Sequence, residues 1–215
     1  MTGTDAQHPT ATATSDPTSG LATSGLATSS LSTGRPDGTG AATTGPTGPF
    51  TTRAGGAADA PLIVALFNEA VAWQVERGLA SQWGPEPFSA DPRKVAAASR
   101  WAESGGLVVA ERHGEPVAVM VLGEAPAYAP PATGPELYVV VLVASRRPEA
   151  RGAGRFLLAE AEETTRRRGL PTLRLDCYAG NDGALVAYYR SAGFEPTETF
   201  LVGEWPGQVL QRSVG

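Results

Sequence analysis

Residues 136–158, ELYVVVLVASRRPEARGAGRFLL, constrain the fold of this chain more than any other stretch. The run at 136–144 is almost continuously apolar, which is typical of a strand buried on both faces. A basic loop with Gly152 and Gly154 follows, and apolar residues then recur at helical spacing from 155 to 168. The stretch therefore predicts a buried strand, a glycine-containing loop and an amphipathic helix in direct succession.

Strand and helix patterns continue on both sides of this segment. Apolar or alternating runs bounded by turn residues predict strands at 50–53, 107–111, 116–122, 172–178, 194–202 and 208–213. Helical spacing with capping residues predicts helices at 59–78, 91–103 and 182–191. A hairpin of antiparallel strands leads into a strand–helix–strand unit, and a second hairpin closes the chain. This order predicts an α+β fold, with a mixed sheet of about seven strands and helices on both faces.

The first 49 residues differ in composition from the rest of the chain. Thr, Ser, Gly, Ala and Pro dominate them, and three leucines and Met1 are the only aliphatic side chains larger than alanine. Such a segment buries too little apolar surface to offset its chain entropy. We therefore expect 1–49 to be a disordered low-complexity tail and 50–215 to form one folded domain.

Composition also argues against several classes of protein. Cys177 is the only cysteine, and His8 and His113 are the only histidines, so a disulfide framework, a Ser-His-Asp hydrolase and a metal site are not expected. The net charge of −5 argues against nucleic acid as the main partner. The chain has neither a signal-peptide pattern nor ~18 consecutive apolar residues, so we expect no membrane span and a cytoplasmic location.

The glycine loop suits an anion, because glycines let a phosphate approach the backbone and the first N–H groups of a helix point at it. A nucleoside-triphosphate P-loop is excluded, since Arg155 and Phe156 stand where Lys and Ser/Thr are needed. A dinucleotide site fits less well. Asp176 stands near the expected distance, but Leu157 occupies the third glycine position. A plain tight turn is a further alternative.

A strand, a basic loop, G-x-G and a helix opening with R-x-L-L together resemble the GNAT N-acetyltransferase superfamily. The signature of that family, [Q/R]-x-x-G-x-[G/A], binds the pyrophosphate of acetyl-coenzyme A (acetyl-CoA). The segment AGNDGALVAYYRSAGF at 179–194 is similar to a second family motif, N-x-x-A-x-x-x-Y-x-x-x-G-F, and RAGGAAD at 53–59 resembles the family's strand-to-helix opening. The signature's Gln/Arg position falls on Glu149, so one basic residue is missing there. Three nearby arginines are candidates to replace it: Arg146, Arg147 and Arg151.

The resemblance implies a three-layer α/β/α fold whose twisted, mostly antiparallel sheet opens in a V between the fourth and fifth strands. It also implies acetyl-CoA as co-substrate, bound without a metal. The backbone of residues 142–144 would pair with the pantetheine arm, and Asn181, or Asp182 in its place, would contact the cofactor. The residues implied to bind the cofactor are Leu142, Val143, Ala144, Ala150, Arg151, Gly152, Ala153, Gly154, Arg155 and Asn181.

The same resemblance implies an acid that protonates the leaving thiolate. Tyr189 is the expected acid, although Tyr188, or a tyrosine that only fills the core, also fits the pattern. Glu124 is the candidate base that takes the proton of the acceptor amine, with Glu136 as the second candidate. Cys177 is interpreted as a small buried apolar residue and not as a nucleophile.

The implied function is transfer of an acetyl group from acetyl-CoA to a primary amine of a small molecule, directly within a ternary complex. Trp83, Tyr128 and Glu136 are expected to line the acceptor site. A protein or peptide N-acetyltransferase and a non-catalytic acyl-CoA-binding module are the alternatives. The last strands offer an edge through which two copies could form a homodimer.

Overall fold

A seven-stranded sheet forms the middle layer of the fold. The strands are β1 (Thr51–Ala54), β2 (Leu107–Arg112), β3 (Glu115–Gly123), β4 (Glu136–Ala144), β5 (Thr172–Tyr178), β6 (Glu195–Val202) and β7 (Trp205–Ser213). They lie in the order β1-β2-β3-β4-β5-β7-β6. β4 and β5 are parallel, and every other neighbouring pair is antiparallel. The mixed, mostly antiparallel sheet predicted from the sequence is thus confirmed.

The computed structural model describes residues 49–79 and 82–215. The low-complexity segment predicted at 1–49 therefore lies, apart from its last residue, outside the described residues. Within the described ranges, none of the helices combines the length and the apolar character that a membrane crossing requires.

Two pairs of helices cover the two faces of the sheet. α1 (Ala60–Glu76) and α2 (Pro92–Glu103) bury their apolar sides against β2, β3 and the second half of β4. α3 (Ala153–Arg167) and α4 (Ala184–Ser191) pack on the opposite face, against β3, β4, β5 and β7. Each helix pair encloses its own apolar cluster, and the three layers agree with the α/β/α architecture that the resemblance implies.

Two helices begin two residues away from the predicted start, for reasons of backbone conformation. α3 begins two residues early because Gly152 takes the left-handed conformation, with φ of +90°, and the helix starts directly after it. α4 begins two residues late. Asn181, Asp182 and Gly183 have φ of +52°, +54° and +69°, so an α-helix cannot start before Ala184.

A β-bulge in β4 bends this strand away from β5. Val121 of β3 pairs with Val141, whereas Leu122 pairs with Val139, so Val140 is an extra residue. Val139 packs in the cluster under α3 and α4, and Val141 packs in the cluster under α1 and α2. An extra residue kinks its strand and increases the local twist. The parallel pairing of β4 with β5 ends at this bulge, at Val139 and Leu175.

Candidate active site

The gap between β4 and β5 exposes one edge of β4. Ser145 N donates to Val117 O over 2.8 Å, and Ala118 pairs with Ala144. In an antiparallel ladder, backbone groups turn alternately toward and away from the partner strand. The N–H and C=O groups of Leu142 and Ala144 therefore face the gap, whereas those of Val143 face β3. Of the three β4 residues predicted to bind the cofactor, two have backbone groups available there.

The amino end of α3 lies beyond this gap, after the loop that leaves β4. Phe156 N donates to Gly152 O over 3.0 Å, which is the first turn of the helix. The N–H groups of Ala153, Gly154 and Arg155 precede that turn and have no acceptor within the helix. Gly154 has no side chain and Ala153 carries only a methyl group, so neither residue holds an anion away from these N–H groups. Such an end, with the positive end of the helix dipole, is suited to a phosphate.

Glu69 of α1 fixes the start of the loop, a role that the sequence analysis missed. Its Oε1 accepts from Ser145 Oγ over 3.0 Å and from Arg146 N over 2.6 Å. A lone glutamate on a helix carries no signal in the sequence for a contact 76 residues away. The loop is thereby held from the face opposite to α3.

The arginines around the loop have different partners. Arg146 stacks on Trp73, with its guanidinium carbon 4.1 Å from the ring centroid, and burial lowers its pKa to about 10. Arg147 Nε donates to Ser145 Oγ over 3.1 Å. Arg151 is exposed and makes no side-chain hydrogen bond or ion pair within 49–79 and 82–215. The guanidinium nitrogens of Arg146 also lack a hydrogen-bond partner in the described part of the chain, but they are buried. Among the three candidates to replace the missing basic residue, Arg151 therefore combines an exposed side chain with a guanidinium that no described residue occupies.

Tyr189 lies on α4 and is fully buried, with 0% exposure. Its ring meets Phe194 edge-on at 6.1 Å, and its hydroxyl has no hydrogen-bond partner among the described residues. Burial raises the pKa of Tyr189 well above its ordinary value, with smaller contributions from Cys177, Tyr188 and Asp176. Cys177 and Asp176 are the first two β5 residues beyond the last pair with β4. The Tyr189 phenol therefore stays protonated and lies beside the gap.

Tyr188, the alternative acid, packs against Arg155. The guanidinium of Arg155 lies 5.4 Å from the centroid of its ring, and burial raises the pKa of Tyr188 to about 12. Arg155 also donates to Ser191, so α4 occupies an arginine that the sequence assigned to the cofactor. Cys177 is fully buried, and burial raises the pKa of its thiol, which fits its interpretation as a core residue.

The two glutamates proposed as bases lie at strand ends. Glu124 is exposed and directly follows β3. Glu136 Oε2 accepts from Arg174 over 2.9 Å, and Glu136 lines a cavity of about 180 Å³ at the closed end of the β4–β5 pair. Three strand positions separate Glu136 from Val139, which is ~10 Å along the strand.

The predicted acceptor-site aromatics separate in the structure. Trp83 meets Phe67 of α1 edge-on, with ring centroids 5.4 Å apart, and so anchors its loop to the α1–α2 cluster. Tyr128 instead stacks on Phe200 of β6 at 5.7 Å. The ring of Phe200 also contacts that of Trp205, with centroids 6.1 Å apart, and Trp205 contacts Tyr178, with centroids 5.6 Å apart. The sequence analysis missed Phe200, Trp205 and Tyr178, because aromatic residues in strands also fit an ordinary core.

A buried tyrosine–aspartate pair joins β4 and β5 where their backbones part. The Tyr138 hydroxyl donates to Asp176 Oδ1 over 2.7 Å. Both side chains are buried, at 0% and 1% exposure, and Asp176 Oδ2 has no hydrogen-bond partner in the described part of the chain. Burial raises the pKa of Asp176 to about 6, while the Tyr138 hydrogen bond opposes that shift. The sequence analysis considered Asp176 only for the less favoured dinucleotide site.

Several solved structures of acetyltransferases share this fold. A GNAT-family acetyltransferase from Listeria monocytogenes is 20% identical, with a TM-score of 0.60 over 76% of this chain and 94% of that one. The Salmonella typhimurium protein yncA, solved with acetyl-CoA, is 20% identical, with a TM-score of 0.52 over 78% and 95%. A ribosomal-protein-alanine N-acetyltransferase from Brucella melitensis is 25% identical, with a TM-score of 0.53 over 76% and 99%.

The comparison of sequences gives a consistent result. No curated protein matches the chain significantly. The sequence model of the acetyltransferase (GNAT) family matches residues 72–194, which span β2 to β5, the loop before α3 and the whole of α4. Because this match covers more than half of the chain, the protein belongs to the GNAT acetyltransferase family.

Proposed function

We propose that the protein transfers the acetyl group of acetyl-CoA to a primary amine of a small molecule, in a single ternary complex. The observation that carries this proposal is the Tyr189 hydroxyl, buried beside the gap and without a protein partner in the described ranges. A buried hydroxyl without a hydrogen bond costs about 1–3 kcal/mol. A ligand sulfur at the gap would supply the missing hydrogen-bond partner. The energetic cost of the unpaired Tyr189 hydroxyl is therefore expected for a binding site whose ligand completes the hydrogen bond.

The residues around the gap fit acetyl-CoA. The backbone groups of Leu142 and Ala144 would pair with the amides of the pantetheine arm. The free N–H groups at the start of α3 would hold the pyrophosphate, and Arg151 would add a charge-assisted contact. Asn181, in the turn before α4, is kept as a further contact of the cofactor. Val143 contributes its side chain to the core and not its backbone to the gap.

Two groups of the chain would act on the thioester. A backbone N–H of β4, from Leu142 or Ala144, polarises the carbonyl, and donors of this kind contribute about 2.7–4 kcal/mol where they have been measured. Tyr189 gives its proton to the leaving sulfur. The raised pKa of Tyr189 keeps that proton in place until the thiolate forms. Positioned acids typically contribute 10²–10⁴-fold to a rate.

The aromatic chain Tyr128–Phe200–Trp205–Tyr178 supports a small-molecule acceptor. It brings together the 124–135 loop, the β6–β7 hairpin and the end of β5, next to the gap. Trp205 Nε1 donates to Gln82 O over 3.2 Å, which adds the loop between α1 and α2 to this wall. Aromatic walls with a few polar groups are typical of small-ligand sites. A protein substrate would instead require an open groove along these elements.

Release of free thiol from acetyl-CoA, measured across small amines, amino acids, aminoglycoside-type antibiotics and peptides, tests the proposal. We expect turnover with at least one small amine and little with peptides. Turnover only with peptides that carry a free N-terminal alanine would favour protein acetylation, the activity that the name of the Brucella neighbour gives. Calorimetric binding of acetyl-CoA without transfer to any amine would indicate a non-catalytic acyl-CoA-binding module.

A further inference from the structure

Asp176 is the first β5 residue beyond the last parallel pair, which joins Val139 to Leu175. One carboxylate oxygen, Oδ1, is held by the Tyr138 hydroxyl at 2.7 Å. The other, Oδ2, is buried and has no partner within the described residues. An ionised oxygen kept from water without a donor is costly, more so than a neutral one. A hydrogen-bond donor is therefore missing at this point, next to the gap.

The direction of the Asp176 side chain follows from strand alternation. Leu173, Leu175 and Cys177 pack in the cluster under α3 and α4. Because successive side chains point to opposite faces, Asp176 faces the side of α1 and α2. Tyr189 belongs to α4 and lies on the other face. The carboxylate and the phenol thus flank the gap from opposite sides.

The groups that face Asp176 leave its second oxygen able to take a proton. Tyr138 approaches from β4 and donates only to Oδ1. Arg174, two positions earlier on β5, directs its guanidinium to Glu136 Oε2 and to Pro130 O, each at 2.9 Å. On the opposite face of the sheet, Tyr189 of α4 and Cys177 of β5 are kept neutral by burial. No cation within hydrogen-bond reach neutralises Oδ2 among the described residues.

We infer that Asp176 is the catalytic base, whose Oδ2 accepts the first proton of the acceptor ammonium group. This inference rests on the proposed function. The lone pair released on nitrogen forms the N–C bond to the thioester carbonyl carbon, and the C–S bond breaks. Overall the ammonium loses two protons. One goes to Asp176 and then to water, and the other balances the proton that Tyr189 gives to sulfur.

The raised pKa of Asp176, about 6, suits this role. The carboxylate is ionised at neutral pH and is a stronger base than an exposed aspartate, and a base is most effective when its pKa is near the working pH. Tyr138 acts as a positioning residue, since its hydrogen bond holds Oδ1 and leaves Oδ2 for the amine. Glu124, which the sequence favoured, is the rival base.

The substitution Asp176→Asn tests the inference, because the amide oxygen can still accept from Tyr138. With the amine that wild type acetylates fastest, we expect kcat to fall 10²–10⁴-fold and the acidic limb of the kcat/KM profile near pH 6 to disappear. The affinity for acetyl-CoA, measured by calorimetry, should stay within twofold. Glu103→Gln, an exposed carboxylate at the end of α2, is the matched control and should behave as wild type.

Two further measurements keep the inference testable if Asp176→Asn fails to fold. Tyr138→Phe removes the hydrogen bond that lowers the pKa of Asp176, so the acidic limb should move to higher pH. A ¹³C NMR titration should show one carboxyl resonance, absent in Asp176→Asn, that titrates near pH 6 without any substrate. Full activity of Asp176→Asn, or a large loss in Glu124→Gln with none in Asp176→Asn, overturns the inference alone. A wild-type protein that acetylates no amine overturns it together with the proposed function.

Discussion

Arg155, in the first turn of α3, reaches across to Ser191, the last residue of α4. Its guanidinium donates to the Ser191 carbonyl over 2.7 Å and to the Ser191 hydroxyl over 2.5 Å. The carbonyl belongs to a helix end, where backbone oxygens lack intrahelical donors and carry partial negative charge. Arg155 therefore ties together the two helices that flank the proposed cofactor site.

Arg155→Ala should lower stability more than cofactor binding. Hydrogen bonds from a charged group at an exposed position contribute modestly, so we expect the free energy of unfolding to fall by about 1 kcal/mol. Urea denaturation measures this change. Arg168→Ala, at the other end of α3, is the control. A loss of acetyl-CoA affinity as large as that of Arg151→Ala would show that Arg155 binds the cofactor directly.

Arg151→Ala should weaken acetyl-CoA binding about 5- to 10-fold at low salt, with little effect on stability. Arg151 is exposed beside Gly152 and makes no ion pair within the described ranges, so its charge is free to meet a phosphate. Calorimetry at two salt concentrations measures the effect, which should shrink as screening increases. An unchanged dissociation constant would indicate that Arg146 or Arg147, and not Arg151, takes the role of the basic residue that is missing from the signature.

Tyr189→Phe should lower kcat by 10²–10⁴-fold and leave the affinity for acetyl-CoA within twofold. The same substitution should not destabilise the fold, because it removes a buried hydroxyl that has no partner among the described residues. Steady-state kinetics and urea denaturation of the same preparation give both values. If Tyr188→Phe loses the activity and Tyr189→Phe keeps it, the neighbouring tyrosine is the acid.

The pH dependence of stability gives a test of Asp176 that needs no substrate. The folded pKa, about 6, lies above the ordinary value of about 3.9, so between these values the folded state holds a proton that the unfolded state has lost. Asp176 therefore contributes stability below about pH 4, and that contribution is lost as pH rises through 6. As pH rises from 4 to 7, the free energy of unfolding of Asp176→Asn should therefore increase relative to that of wild type by on the order of 2–3 kcal/mol. A constant difference across this range would show that Asp176 does not titrate there.

The periodic features of the chain could be predicted from the sequence, and the contacts between strands could not. The apolar run at β4 and the glycines at the start of α3 have local signals, and both lie where expected. The bulge at Val140 has none, because valine fits a regular strand equally well. The pair of Tyr138 and Asp176 depends on the parallel register of β4 and β5, which no pattern within one strand specifies.

Gly207 lies between two members of the aromatic wall of the proposed acceptor site, so a substitution at Gly207 tests the function of this wall. Gly207 pairs with both Tyr178 and Phe200, and a Cβ there would overlap the ring of Phe200. Gly207→Ala should therefore displace Phe200 from Tyr128 and raise the KM for the acceptor amine several-fold, while the affinity for acetyl-CoA stays constant. Gly56→Ala is the matched control, since no atom lies within 4 Å of its added Cβ and its φ of −161° suits any residue. An unchanged acceptor KM would place the amine away from this wall, whereas a loss of acetyl-CoA affinity would show that the β6–β7 hairpin supports the cofactor.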